Sequence, residues 1–506
     1  MIRLGVGLVL WAALGATASA SETSRPLSAI DWLEEALALP ATPDPLPPLA
    51  PPPPEPVIEV STLPPAGLGR VGLFAPSRIG LPEDLWASDS TEQVIAALQA
   101  LPQDTLPSAQ ALTFRILLAD FVPPAQGDAA DLLVARIDKL VSMGALEQAS
   151  LLVDAAPVQT AALNRRAFDI ALLLGEEERA CARLQGQIAT DADAHAAQIF
   201  CLARRGEWQA AYTALKTARL LGELDPVAAE LLDRFLDEED AEILPPTPRD
   251  LTPLGWRILE ALGDPAPTAA LPLEFAHADL RGTSGWRAQL EAAERLTRAG
   301  VMQPNRLLGL YAQRRPAASG GVWERVRAVQ ALDRALGQRD PTAAAAAVQP
   351  AWSLFAQVEL EIALAQMFAE PLAQLDLPQD AARFVWMLKV LDGDVSPRVQ
   401  GLTPDRPSEQ MVMALALGTD LPAGQGAGMA GAIASVWGGG GALNGDGTPA
   451  DGSDGMRLLQ ALALLSEAAN GDPHAAARAL SSMRDIGQDI MARRIAIELL
   501  LLERRG

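Results

Sequence analysis

Reactive and metal-coordinating side chains are scarce. The 506 residues include two cysteines, three histidines and two tyrosines. Cysteine and methionine sulfurs show no ligand spacing, so neither a metal nor a cofactor is expected. Aromatic residues make up only 4% of the chain. β-Branched runs with strict alternation are nearly absent, which argues against a sheet architecture. Lysine occurs only at Lys139, Lys216 and Lys389; every other basic residue is arginine. That bias reads as genome composition and not as an arginine-based site. Basic charge is also short: 40 Lys and Arg stand against 63 Asp and Glu, a net charge of −23. A chain this acidic repels phosphate backbones, so nucleic acid is not expected as a partner.

Long apolar runs are missing as well, apart from the first residues. MIRLGVGLVLWAALGATASA has one basic residue, Arg3, an apolar run from Leu4 to about Leu14, and Ala18-Ser19-Ala20 as a small-x-small site. That is the layout of a signal peptide (residues 1–20), with cleavage after Ala20. A bilayer span needs about 20 apolar residues, and no later segment supplies them. No cysteine near Ala20 offers a lipid anchor. The expected product is periplasmic or otherwise exported, with no transmembrane segment after cleavage.

What is abundant is alanine and leucine at helical spacing. Strong helix formers with 3.6-residue periodicity fill most of the chain after residue 90, which predicts an all-α fold. Within residues 21–39, Ser28 caps an expected helix over 28–39, with Asp31 three residues on. Ala29, Trp32, Leu33, Ala36 and Leu37 share one face of it. Residues 40–66 follow as a proline-rich linker; ten of the seventeen residues from Pro40 to Pro56 are proline. That stretch favours polyproline II and reaches about 50 Å at ~3.1 Å per residue. Helices are expected from Ser90-Thr91 onward, in segments 67–243, 250–417 and 456–506. Breaks fall at Leu244–Pro248 and in a glycine-rich region, 418–455, with one short helical piece.

Internal repetition is the strongest signal. GALEQASLLVDAA from Gly144, GEEERACARLQGQ from Gly175 and GEWQAAYTALKTA from Gly206 align without gaps at a period of 31. Alanine follows each glycine by five residues (Ala149, Ala180, Ala211) and an aliphatic residue by nine (Val153, Leu184, Leu215). Ile137, Phe168 and Ile199 stand seven before. The pattern describes a helix, a glycine turn and a second helix held close by alanine. Such hairpins bury their apolar faces by stacking. Gly471, Ala476 and Leu480 repeat the spacing once. Gly263-Asp264-Pro265, Gly471-Asp472-Pro473 and Asp340-Pro341 read as helix starts.

The turn and second helix resemble the tetratricopeptide (TPR) family: Gly144, Ala149, Val153, Ala156 with Pro157 after it, and again Gly206, Ala211, Leu215, Ala218. The period is 31 and not 34, and the first-helix Trp, Leu-Gly and Tyr signature is missing. The match covers about residues 129–226. The resemblance implies an α-solenoid and a protein- or peptide-binding role. In this register Cys181 lies on the second helix of one repeat and Cys201 on the first helix of the next. The two thiols then sit level across a hairpin that turns near residue 191. In an exported chain that predicts a disulfide.

Catalytic motifs are not found. Asp191, Asp193 and His195 stand at a helix start, where acids serve as caps. His277 and Asp279 are too few to define a site. Gly426-Ala-Gly428-Met-Ala-Gly431 fits G-x-G-x-x-G but lacks the preceding strand. The acidic run Asn444–Asp454 lacks the EF-hand ligand pattern. Ala318–Arg325 reads as a small-residue turn for close helix packing, with Ser319 as cap and Trp323 inward. Superhelical lytic transglycosylases pair a helical superhelix with a Glu-Ser catalytic motif, and no Glu-Ser dipeptide occurs here. The expected function is therefore an envelope scaffold that binds protein or peptide. An envelope enzyme acting on peptidoglycan and a purely structural spacer stand as alternatives. Trp32, Leu33, Ala36 and Leu37 either dock into a partner's groove or cap the solenoid's own end.

Overall fold

A computed structural model describes residues 70–502, apart from 187, 190, 237–250, 395–398, 400–401, 404, 423–427 and 439–451. The chain divides into two compact units, and all described residues lie in the second, Pro64–Gly506. The expected signal peptide, the 28–39 helix and the proline-rich linker fall outside the described residues.

Among the described residues the fold is all-α, with twenty-two α-helices and no strand. Two isolated backbone bridges, Phe74 with Ala119 and Ser90 with Gln126, tie loops together. Among these residues no helix is long and apolar enough to cross a membrane. Helix α1 (Thr91–Ala100) starts at a reciprocal cap: Ser90 Oγ accepts from the Gln93 amide, and Gln93 Oε1 accepts from the Ser90 amide. Helix α2 (Pro107–Leu118) follows, with proline in its first turn.

The repeat occupies α3 (Ala129–Ser142), α4 (Leu146–Ala155), α5 (Ala161–Leu174), α6 (Glu177–Leu184), α7 (Ala192–Arg204) and α8 (Trp208–Leu221), with α9 (Pro226–Leu236) after it. Gly144, Gly175 and Gly206 stand at the hairpin corners with φ of 78°, 80° and 82°. Only glycine adopts that left-handed conformation freely. Ala149, Ala180 and Ala211 are completely buried against the first helices, as are Val153 and Leu215. Leu184 is partly buried against the same core.

The second half comprises α10 (Pro253–Ala261), the one-turn α11 (Ala276–Asp279), α12 (Trp286–Arg298), α13 (Pro304–Ala312), α14 (Val322–Gly337), α15 (Pro341–Ala356), α16 (Glu361–Ala373), α17 (Gln379–Asp392), α18 (Pro407–Leu417), α19 (Met429–Trp437), α20 (Asp454–Ala469), α21 (Pro473–Asp485) and α22 (Asp489–Leu501). Consecutive helices pair again in α14 with α15, α16 with α17, and α20 with α21. Asp340 and Asp472 cap α15 and α21 through their side chains. The α20–α21 corner copies the repeat: Gly471 has φ 97°, and Ala476 and Leu480 are fully buried.

Two expectations need correction. No α-helix starts at Pro265. The amides of Gly263 and Asp264 return to the carbonyls of Glu260 and Leu259 and close α10. The chain then runs through a loop that Trp256 Nε1 holds at Ala266 O, 3.0 Å away. Ser319 does not cap α14 either. The N-cap is Gly321, with no side-chain bond. Gly320 and Gly321 have positive φ, and a Cβ on either would meet nothing within 4 Å. These glycines shape a turn and do not allow a close approach of helices.

The two ends of the described chain pack against each other. Helix α1 lies on α20, and α2 on α22. The carboxylate of Glu498, 1% exposed, accepts from the Ser108 amide at 3.0 Å and from Ser108 Oγ at 2.6 Å, across 390 residues. Ser453 Oγ donates to Asp89 at 2.6 Å, and Gln488 Nε2 to the Gly80 carbonyl at 3.0 Å. Gly455 faces Trp86 so closely that a Cβ there would lie 2.5 Å from the ring. Nearby, buried Arg136 donates to the carbonyls of Val71, Leu117 and Ala119, each at 2.8 Å. Burial pulls its guanidinium down to about 10, still charged at neutral pH.

Candidate functional site

The repeat region carries the features singled out from the sequence. Cys181 on α6 and Cys201 on α7 form a disulfide, with S–S 2.01 Å and Cα–Cα 5.4 Å. Both half-cystines are buried. The bond joins one hairpin to the next, level across the α6–α7 turn. Trp32, Leu33, Ala36 and Leu37 lie outside the described residues.

Helices α4, α6 and α8 form the outer member of each hairpin: α4 packs on α3 and α5, α6 on α5 and α7, and α8 on α7 and α9. The outward surfaces of α4 and α8 carry exposed apolar side chains, whereas α6 presents Glu178 and Arg179. Among the described residues, ten large apolar side chains are exposed, and seven of them lie between Leu151 and Val227. Leu151 is 55% exposed, Trp208 52%, Leu221 64% and Leu220 88%. Trp208 leans on Phe235 at 6.2 Å, and Phe235 stacks on Phe200 at 5.6 Å. Burying a leucine is worth about 1.5–3 kcal/mol. Four of the seven lie on α4 and α8, two in the loops that follow α4 and α6, and one at the start of α9.

The histidines and acids singled out from the sequence each have their own local partners. Asp191 caps α7, its Oδ1 accepting from the Ala194 amide at 2.8 Å. His195 Nδ1 lies 3.0 Å from the Asp191 carbonyl, and Asp193 pairs with Arg165. His277 and Asp279 have different partners. His277 Nε2 lies 2.6 Å from the Gly144 carbonyl, whereas Asp279 accepts from Thr268 Oγ1. Burial holds the His277 imidazole below its ordinary pKa, which favours the neutral ring. Among the described residues no group of three or more His, Cys, Asp or Glu is placed to hold a metal ion.

A cleft of about 410 Å³ opens between α10 and α12, with Glu260, Asp279, Glu291 and Arg295 on its walls. Each carboxylate is already engaged. Glu260 pairs with Arg257 and Arg281, and Glu291 accepts from Arg287 Nε at 2.8 Å. Arg295 donates to the carbonyls of Thr268 and Leu271 at 2.9 and 3.0 Å. These groups hold the loop between α10 and α12 in place.

Two polar sites escaped the sequence reading. Glu294 is buried between Tyr311, whose hydroxyl donates at 2.7 Å, and Arg325, whose Nε donates at 2.7 Å. Burial and the adjacent Glu294 carboxylate push the Tyr311 hydroxyl well above its ordinary pKa. Glu274, just before α11, leaves a buried Oε2 without a partner, and burial pushes its carboxyl up to about 7. Neither site has a periodic signature, because each depends on residues brought together by helix packing.

No family model matches the chain, and neither a curated protein nor a solved structure is significantly similar to it.

Proposed function

We propose that this chain is an exported scaffold that binds protein or peptide partners in the cell envelope. Its helical hairpins stack as a TPR-like solenoid over the repeat region, and the mature chain begins after Ala20. One observation carries the reading: seven of the ten exposed large apolar side chains lie within residues 151–227, on or beside the outer helices. A catalytic reading has less support, since the carboxylates of the α10–α12 cleft are spent on arginines and a threonine.

The 28–39 segment fits the same role. Helices α1 and α2 are already covered by α20 and α22, so that end of the array needs no cap. That favours docking of Trp32, Leu33, Ala36 and Leu37 into a partner over capping of the array, with the proline stretch setting a reach of about 50 Å.

The test is photo-crosslinking in intact cells, with the probe at Leu220 or Trp208 and, for comparison, at Gln338. The expected result is discrete crosslinked partners from the first two positions only. Equal or absent crosslinking from all three would refute the reading. Deletion of residues 28–39 should alter the partner set, and sequencing the mature N-terminus checks cleavage after Ala20.

A further inference from the structure

The charge of this chain is unevenly distributed. From Arg281 to Asp340 there are eleven arginines and five acids, a net charge of +6. With −23 for the whole chain, the remainder carries −29. Within this stretch, Arg314 and Arg315 are exposed on the loop between α13 and α14, and Arg327 and Arg334 are exposed on α14 itself.

The structure draws these four together. Arg327 and Arg334 are seven residues apart, two turns along one face of α14. Gln330, between them on that face, donates to the Tyr311 and Arg314 carbonyls, each at 2.8 Å. Arg327 donates to the Ala318 carbonyl of the same loop. The loop is thereby pinned beside the arginine face of α14. Among the described residues, none of the four has an acidic partner within ion-pair distance. Many arginines elsewhere are paired, among them Arg166 with Asp138, Arg219 with Asp233 and Arg383 with Glu409, and exposed ones that are not, such as Arg115 and Arg478, stand on other helices. At the far end of α14, Arg339 occupies the hairpin corner with φ 51°. Glycine fills the corresponding corners of the repeats, and a non-glycine residue there costs about 1 kcal/mol.

We propose that Arg314, Arg315, Arg327 and Arg334 form a docking surface for a short acidic segment of a protein partner. Guanidinium groups pair bidentately with carboxylates, and this face supplies four that are not paired with an acid, Glu324 and Asp333 being the exposed acids of the same helix. Charge complementarity also limits the length of the partner. An anionic membrane plane or a nucleic acid must run past the remaining −29, whose repulsion reaches about 10 Å at 0.1 M salt. A short carboxylate segment meets only the patch. This surface is distinct from the apolar face of the repeats, so either can fail without the other.

The test uses the full mature chain and a dye-labelled peptide of alternating glutamate and glycine, followed by fluorescence anisotropy at low and high salt. Binding is expected at low salt, with affinity falling as salt rises. The variant R314Q/R315Q/R327Q/R334Q should bind at least about tenfold more weakly, and circular dichroism checks that it folds. R478Q, which removes an exposed arginine on α21, should bind like the parent. Equal affinity of the quadruple variant and the parent would overturn the proposal. So would patch-dependent capture of phosphatidylglycerol vesicles without peptide binding, or patch-dependent self-association seen in sedimentation, which would make a second copy the occupant.

Discussion

Glu274 makes stability depend on pH in a way that one substitution can isolate. Its carboxyl moves from 4.5 to about 7 because burial disfavours the ionised form, and its Oε2 finds no donor. Arg295 attracts the ionised form only weakly against burial, and its guanidinium already serves two carbonyls. The folded state therefore holds the proton more tightly than the unfolded chain does. Stability from this group is complete below about pH 4.5, falls as pH rises, and is lost above about pH 7. At about 1.4 kcal/mol per pH unit, the penalty at pH 8 is at most about 3 kcal/mol, and about 2 after allowing for partial exposure. His277 works in the opposite sense: its pKa is lowered by burial, so its contribution is present above its ordinary 6.5 and is lost as pH falls. Glu274→Gln leaves His277 in place, and the difference between parent and variant cancels it. Urea denaturation at several pH values reads that difference. The variant should match the parent near pH 4.5 and exceed it by about 2–3 kcal/mol at pH 8. A difference that does not change with pH would refute the argument.

Further predictions concern the hairpin corners, the seam and the disulfide. Gly206→Ala should cost about 1 kcal/mol, because its φ is 82° and a Cβ meets nothing within 4 Å. Gly144→Ala should cost more, since its Cβ would also lie 2.9 Å from Leu273 Cγ; thermal denaturation of the pair separates conformational strain from a clash. Ser108→Ala removes the hydroxyl that donates to the buried Glu498 carboxylate, while the Ser108 amide stays in place, and should destabilise by about 1.5–3 kcal/mol; a loss below about 0.5 kcal/mol would show that the seam does not depend on this bond. Replacing Cys181 and Cys201 by serine should cost about 2–3 kcal/mol on loop-closure grounds, and non-reducing peptide mapping should recover the Cys181–Cys201 pair from the parent.

The local features were legible because their causes are local. The capping pair Ser90 and Gln93, the glycines at a period of 31 and the alanines five residues beyond them are all set by backbone conformation and close helix contact. The register they imply also placed Cys181 opposite Cys201. Pro265 misled because Gly263 and Asp264 are consumed in ending α10, a choice that a Gly-Asp-Pro triplet does not reveal. Ser319 misled because the chain caps α14 with glycine backbone instead of a hydroxyl. The Ser108–Glu498 bond and the Glu294 cluster have no signature in spacing, since the contacts exist only after distant helices meet. The arginine face was hidden for another reason: arginine is the general basic residue of this chain, and only the packing of one loop beside α14 gathers four unpaired ones on a single face.

The meeting of α1 and α2 with α20 and α22 also constrains how such a chain can evolve. In an open array, a hairpin can be duplicated or deleted internally, because the neighbours simply restack. Here an added unit would shift every later helix and pull Glu498 away from Ser108, and Gly455 away from Trp86. Growth by repetition is therefore blocked once the ends engage. New surface has to come from insertions in the connections between helices or from extensions ahead of the first helix, and the proline-rich stretch stands in that second position.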